Sequence, residues 1–153
     1  MPSAVPLPTR RSFLCAAAVL LLPLPALAQE APLELTPAEA SARAKAGEVT
    51  LIDVRTPEEW RETGVAPGAT RINLYQPEGP EGFAREVLKR VDGNRNAPIA
   101  VVCRTGNRSG QAQRILGALG FSRVYNVREG MSGSASGPGW VARGLPVEAC
   151  KSC

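Results

Sequence analysis

Two short, almost wholly apolar runs constrain this chain more than anything else in it. Val49-Thr50-Leu51-Ile52-Asp53-Val54 and Ile99-Ala100-Val101-Val102 are rich in β-branched residues and too short for helices. They read as strands buried on both faces, which is the habit of a parallel sheet. Val124-Tyr125-Asn126-Val127 reads as the last strand, and a short strand is expected near Thr70 to Leu74. Helical patterns lie between them. Thr36-Pro37-Ala38-Glu39 supplies an N-cap, a proline at the first helical position and a capping-box glutamate, so a helix should run to about Ala46 and stop at Gly47. Thr56-Pro57-Glu58-Glu59 repeats that signature and opens a brief helical turn through Trp60. Phe83, Ala84, Val87, Leu88 and Val91 recur at helical spacing after a Pro/Gly-rich turn from Gln76 to Gly82, as do Ala112, Ile115, Leu116 and Leu119 before Gly120. Strands alternating with helices predict an α/β fold, a central parallel β-sheet with helices on both faces.

The chain has 153 residues, the size of one domain. Its first 28 read differently. A basic start (Arg10, Arg11) leads into an apolar run from Phe13 to Leu27 that closes on Ala26-Leu27-Ala28. That is the pattern of a secretory signal peptide, too proline-interrupted for a comfortable membrane span. Thr9-Arg10-Arg11-Ser12-Phe13-Leu14 is also similar to a twin-arginine signal, although two arginines equally suit an ordinary basic start. Cys15 sits at the start of the apolar run, not after it, which argues against a lipoprotein anchor. Cleavage after Ala28 would leave a domain of residues 29–153 in an exported, periplasmic setting; left uncleaved, the segment could tether the protein to the inner membrane. The formal charge is +4, of which Arg10 and Arg11 supply two. The other basic residues are scattered singly and aromatics are few, so a nucleic-acid partner is not expected.

After the last strand, residues 130–139 form a Gly/Ser-rich loop, too small and polar to pack, and Trp140 and Leu145 are expected to dock the end of the chain back onto the domain. The loop leaves the sheet at its carboxyl end, the same edge as Cys103, where it can border a pocket and shape which partner docks.

The stretch Pro98-Ile99-Ala100-Val101-Val102-Cys103-Arg104-Thr105-Gly106-Asn107-Arg108-Ser109-Gly110 carries the chemistry. In open α/β sheets, ligands bind outside the carboxyl ends of the strands, where Cys103 is expected. Backbone N–H groups of a glycine-containing loop entering a helix make an anion nest, and the helix adds a partial positive charge. Arg104 and Arg108 add full charges if they point inward. Each contribution favours thiolate, the nucleophilic form of cysteine. A cysteine used only as a small core residue would not require this setting. The chain has no histidine, which removes a His-assisted nucleophile, a His metal site and a His pH switch. A charge-stabilised thiolate needs none of these. No four-ligand zinc pattern is present, and neither a metal nor a cofactor is expected.

Cys103 to Ser109, at the end of an apolar strand, resembles the active-site loop of the rhodanese superfamily, the thiosulfate and persulfide sulfurtransferases. Leu51-Ile52-Asp53-Val54-Arg55 with Thr56 to Trp60 is similar to that family's first-strand motif. Gly64 to Ala69 with Arg71 to Leu74 resembles its second, and Gly144-Leu145-Pro146-Val147 its usual ending. The resemblance spans Leu33 to Val147. It implies that Cys103 takes the outer sulfur of a small sulfur-containing anion such as thiosulfate, or of a persulfide, and passes it to a thiol, cyanide or protein acceptor. The amides from Arg104 through Thr105, Gly106, Asn107 and Arg108 to Ser109 would cradle the persulfide. Arg104 or Arg108 would attract the donor, or Arg108 would brace the loop against Asp53 or Glu58. Asp53 and Arg55 read more plainly as groups that position the strand end. Related phosphatases and arsenate reductases separate cysteine and arginine by five residues, whereas four separate Cys103 and Arg108, a tighter ring suited to one sulfur atom. The sequence departs from many relatives in carrying Val65 where they have histidine, and in the length of its Gly/Ser loop.

Cys150-Lys151-Ser152-Cys153 ends the chain. A C-x-x-C pair can be a simple disulfide, a resolving couple that takes sulfur from Cys103, or a metal clip. The class outside enzymes is a binding or sulfur-sensing module on the same fold, and fold alone does not separate the two.

Overall fold

A strand that is apolar throughout can only be satisfied between two layers of side chains, and the chain builds both. The structure, a computed structural model, describes Met1 and residues 33–153; those from 33 onward lie in one compact unit, Ala31–Cys153. The export signal expected over residues 1–28, with Cys15, lies outside the described residues apart from Met1. No helix among the described residues is long and apolar enough to cross a membrane.

In chain order the elements are β1 (Glu34–Leu35), α1 (Pro37–Lys45), β2 (Thr50–Asp53), α2 (Pro57–Thr63), β3 (Thr70–Arg71), α3 (Gly79–Arg90), β4 (Ile99–Val102), α4 (Asn107–Ala118), β5 (Val124–Val127) and α5 (Gly139–Ala142). The five strands form one sheet in the order β1-β5-β4-β2-β3, and every pairing is parallel. The expected α/β architecture is therefore present, with β4 in the middle.

All four residues of β4 are fully buried, and its side chains alternate between two cores. Ile99 and Val101 join Ile52, Val54 and the inner faces of α3 (Phe83, Val87) and α4 (Ala112, Leu116). Ala100 and Val102 join Leu51, Val127, Ala40 of α1 and Trp140 of α5. Cys103 continues the alternation onto the first of these faces, so strand period alone aims its side chain toward α4.

Both expected capping boxes form: Thr36 with Glu39, and Thr56 with Glu59, each with proline in the first turn. Helix α2 runs further than expected, to Thr63, because buried Arg55 ties down its far end. The Arg55 guanidinium donates to Thr63 Oγ1 (2.6 Å) and to the Gly64 carbonyl (2.6 Å). Its other edge grips Asp53 through Nε (2.9 Å) and Nη2 (2.7 Å). Asp53 and Arg55 are 0% and 1% exposed, so they join the end of β2 to the end of α2. Neither hydrogen-bonds to the Cys103 sulfur.

The strand expected near Thr70 to Leu74 is reduced to two residues, and α3 starts at Gly79, inside the expected turn. Beyond β5 the chain turns back. Trp140 is 1% exposed, its indole N–H donates to the Pro146 carbonyl (2.9 Å), and Leu145 packs on the same core. Val65 then exchanges both backbone hydrogen bonds with Glu148 (2.9 and 2.8 Å), so Val65 is a buried anchor for the tail.

A buried charge pair becomes costly when one partner is removed. Asp53→Ala should lower unfolding free energy by about 3–5 kcal/mol in urea titrations; a loss below about 1 kcal/mol would contradict the role given to this pair.

Candidate functional site

Two glycines let neighbouring backbone close on the Cys103 loop. Gly106 is the N-cap of α4 with φ +90°, a conformation that side chains disfavour. A Cβ there would also overlap the Arg128 carbonyl oxygen. Gly130 has φ +69°, and a Cβ on it would run into the Arg104 carbonyl and lie 2.6 Å from Thr105 N. The missing side chains let the turn that follows β5 lie against the loop. Met131 N–H then donates to the Cys103 carbonyl (2.8 Å) and Ser132 N–H to the Arg104 carbonyl (2.9 Å).

Inside this frame Cys103 is 1% exposed and is the free cysteine among the described residues. The Gly106 N–H donates to its Sγ (3.1 Å). Ser109 Oγ lies 3.3 Å from Sγ and 3.1 Å from the Gly106 carbonyl, so its single proton serves one or the other. The loop thus places the Gly106 N–H on the sulfur and the Ser109 hydroxyl within reach of it. Arg104, Thr105 and Asn107 carry their side chains on the outside of the loop, where Arg104 is exposed and makes no ion pair among the described residues.

The brace expected for Arg108 exists, with a different partner. Arg108 pairs neither with Asp53, which Arg55 occupies, nor with Glu58, whose exposed carboxylate meets Arg61 (3.3 Å). It grips Glu59 with two parallel hydrogen bonds of 2.6 Å each. Glu59 Oε2 also accepts the Thr56 N–H (3.1 Å), so one carboxylate caps α2 and anchors the start of α4. The bonds from Arg108 hold the Glu59 carboxyl far below its ordinary value, at about 2, against the opposing effect of burial. Arg108 is raised in turn, chiefly by the same bonds. Sequence reasoning assigned Glu59 to the capping box, which left no reason to seek a second partner for it.

Glu129 was also missed. It is 4% exposed and accepts from the Gly139 N–H (2.9 Å) and from Arg143 Nε (2.8 Å) and Nη2 (2.7 Å). The bonds from Arg143 lower its pKa. This carboxylate closes the loop of residues 130–139 into a fixed turn. The expectation that the loop would not pack fails at Met131, which is fully buried. Ser132, the stretch Ser134 to Ser136 and Pro138 remain exposed.

Cys150 and Cys153 form a disulfide, to which Arg71 Nη1 donates, and Arg61 Nη1 donates to the Cys153 carbonyl (2.8 Å). The pair is thus packed against α2 and β3 as a closed terminus. No group of His, Cys, Asp and Glu side chains among the described residues is arranged to hold a metal ion.

A buried thiol at the carboxyl end of the central strand, cupped by helix-start donors, defines a cysteine-loop protein of the α/β class. The chain belongs to the rhodanese-like domain family, which it matches over residues 36–136. Among curated proteins, an uncharacterized protein of Rickettsia conorii is 30% identical over 98 residues, covering 63% of this chain and 80% of that one. The thiosulfate sulfurtransferase PspE of Escherichia coli is 33% identical over 76 residues, covering 50% of this chain and 65% of that one. The crystal structure of Rv0390 from M. tuberculosis superposes with a TM-score of 0.61 at 30% identity, covering 76% of this chain and 97% of that one.

The Glu59 carboxyl yields a prediction with a definite sign. Because its folded pKa is depressed, it stabilises the protein fully above the ordinary value of 4.5 and loses that contribution as pH falls through 2. The stability gap between wild type and Glu59→Gln, read from denaturant titrations, should be constant from about pH 7 to about pH 5. It should then close between pH 4.5 and 2. A gap that persists unchanged to the acid end would contradict the pairing.

Proposed function

We propose that this chain is a sulfurtransferase in which Cys103 carries the sulfur. The observation that supports it best is the division of labour in the loop. The Gly106 N–H and Ser109 hydroxyl face the sulfur, while Arg108 is turned to Glu59 and is not available to grip a tetrahedral oxyanion. That arrangement suits a single sulfur atom and disfavours the phosphatase and arsenate-reductase readings. Membership of the rhodanese-like family and the similarity to PspE point to the same class of chemistry.

The Cys103 thiolate attacks the outer sulfur of thiosulfate or a persulfide. A new S–S bond forms, the donor's own bond to that sulfur breaks, and sulfite or a thiolate leaves with the electron pair. The persulfide extends the reactive atom one S–S bond, about 2 Å, beyond the buried Sγ. The loop amides and Ser109 hold its negative charge. A thiol, cyanide or a protein acceptor then removes the outer sulfur and restores the thiolate. Arg104, exposed at the rim, attracts the anionic donor. Glu59, Arg108, Asp53 and Arg55 are positioning residues. Cys150 and Cys153 close the terminus. In this reading residues 1–28 are an export signal and the domain works in the periplasm, a setting in which a terminal disulfide persists.

Thiocyanate formation from thiosulfate and cyanide tests the proposal. Cys103→Ser should lose roughly three orders of magnitude in kcat/KM, and Arg104→Gln should raise KM for thiosulfate about three- to tenfold. A serine variant that retained the wild-type rate would end the reading. N-terminal sequencing of the exported protein should begin at Gln29; an intact Met1 would contradict cleavage.

A further inference from the structure

The Cys150–Cys153 bond does little that a structural disulfide is made to do. Only Lys151 and Ser152 lie between its cysteines, so it ties the tail to itself and joins no distant segments. A ring that short also restricts the unfolded chain least. The tail is anchored without it. Val65 and Glu148 exchange backbone hydrogen bonds just ahead of the ring, and Gly64 packs so closely that a Cβ on it would run into the Glu148 carbonyl. The ring can therefore open while the tail stays in place.

What faces the two sulfurs is a cation with no other charge to meet. Arg71 Nη1 donates to both, more closely to Cys150 Sγ than to Cys153 Sγ (2.9 Å). Arg71 makes no ion pair among the described residues. Its guanidinium lies 6.0 Å from the centroid of the Trp60 ring, a buried side chain of α2, so an aromatic face helps to hold it in position. The surrounding charges are Arg61 and Glu58 of α2, which pair with each other (3.3 Å), and the exposed Glu148 and Lys151 of the tail. Neither carboxylate hydrogen-bonds to Arg71 among the described residues. A disulfide sulfur is a weak acceptor for a guanidinium. A thiolate is a strong one, so Arg71 gains a full partner only when the bond is reduced. Both cysteines are partly exposed, within reach of an external sulfur.

We propose that Cys150 and Cys153 form a second reactive centre, a dithiol–disulfide couple that exchanges electrons with external thiols, in which Arg71 holds the thiolate formed on reduction. The centre is separate from the Cys103 loop and does not depend on the sulfur-transfer reading. An external thiolate attacks Cys153 Sγ, and Cys150, nearer the guanidinium, leaves with the electron pair. A second external thiolate attacks the external sulfur of the mixed disulfide. Cys153 then leaves as thiolate and takes up a proton. Two electrons have passed to the tail, and the external thiols depart as one disulfide. The reverse sequence reoxidises the tail and reduces an external disulfide.

The test equilibrates the full chain, without thiosulfate, in a series of reduced and oxidised glutathione mixtures. Acid quenching, alkylation and peptide mass mapping then read each cysteine separately. A disulfide of purely structural use resists such mixtures. Cys150–Cys153 should instead pass reversibly from oxidised to reduced across the series. In Arg71→Gln the equilibrium constant for reduction should fall about tenfold, with part of the loss recovered in Arg71→Lys. A second reading needs no variant. In the reduced protein at about pH 7, Cys150 should react with iodoacetamide about threefold faster than Cys153 or more. A tail that stays oxidised throughout overturns the proposal, as does equal reduction of wild type and Arg71→Gln. A Cys150 no more reactive than Cys153 overturns it too.

Discussion

The two oxygens of Glu59 join parts of the chain that lie 49 residues apart, and the geometry of the Cys103 loop depends on that junction. One end of the loop is fixed because it leaves the fully buried strand β4. The other end is the first turn of α4, and a helix start is free to pivot unless something holds it. Arg108 supplies the hold, and Glu59 receives it on a helix that Arg55 and Asp53 have already locked to the neighbouring strand. A bidentate arginine–carboxylate pair fixes direction as well as distance. The sulfur therefore meets the Gly106 N–H because two helices on either side of it are tied together.

Much of this was legible in the residues before any coordinates. The apolar runs in β2 and β4, the helical stripe of α4 and the two Thr-Pro-x-Glu starts define the alternation, and alternation implies the parallel sheet. Cys103 was legible for a similar reason, since strand end, glycine and arginines lie next to one another in sequence. What escaped notice depends on distant pairings. Glu59 already had a local explanation as a capping residue. Glu129 finds Arg143 and the Gly139 amide only after the intervening loop has folded back. Strand β1 and helix α5 have two and four residues, too few to show any period. Beside the Cys103 loop, Arg114, Asn126 and Arg128 line one cleft that draws on α4, β5 and the turn after it, and no local pattern announces such a meeting.

The Gly/Ser segment shows how composition can mislead about packing. Its small residues are present because backbone must approach backbone: Gly130 lies against Arg104 and Thr105, and Gly139 against Gly133. Close approach at these points brings Met131 and Ser132 into hydrogen bonds with the Cys103 loop. It also leaves Ser134 to Ser136 lining the cleft beside the loop. One segment therefore stiffens the Cys103 loop and shapes the surface beside it.

The central claim is that Cys103 holds a transferable sulfur, and mass reports it directly. Intact-mass spectra of wild type and Cys103→Ser should be taken before and after incubation with thiosulfate. The account predicts a gain of about 32 Da in the wild type alone, removed on adding cyanide. No gain in the wild type, or the same gain in the serine variant, would contradict it.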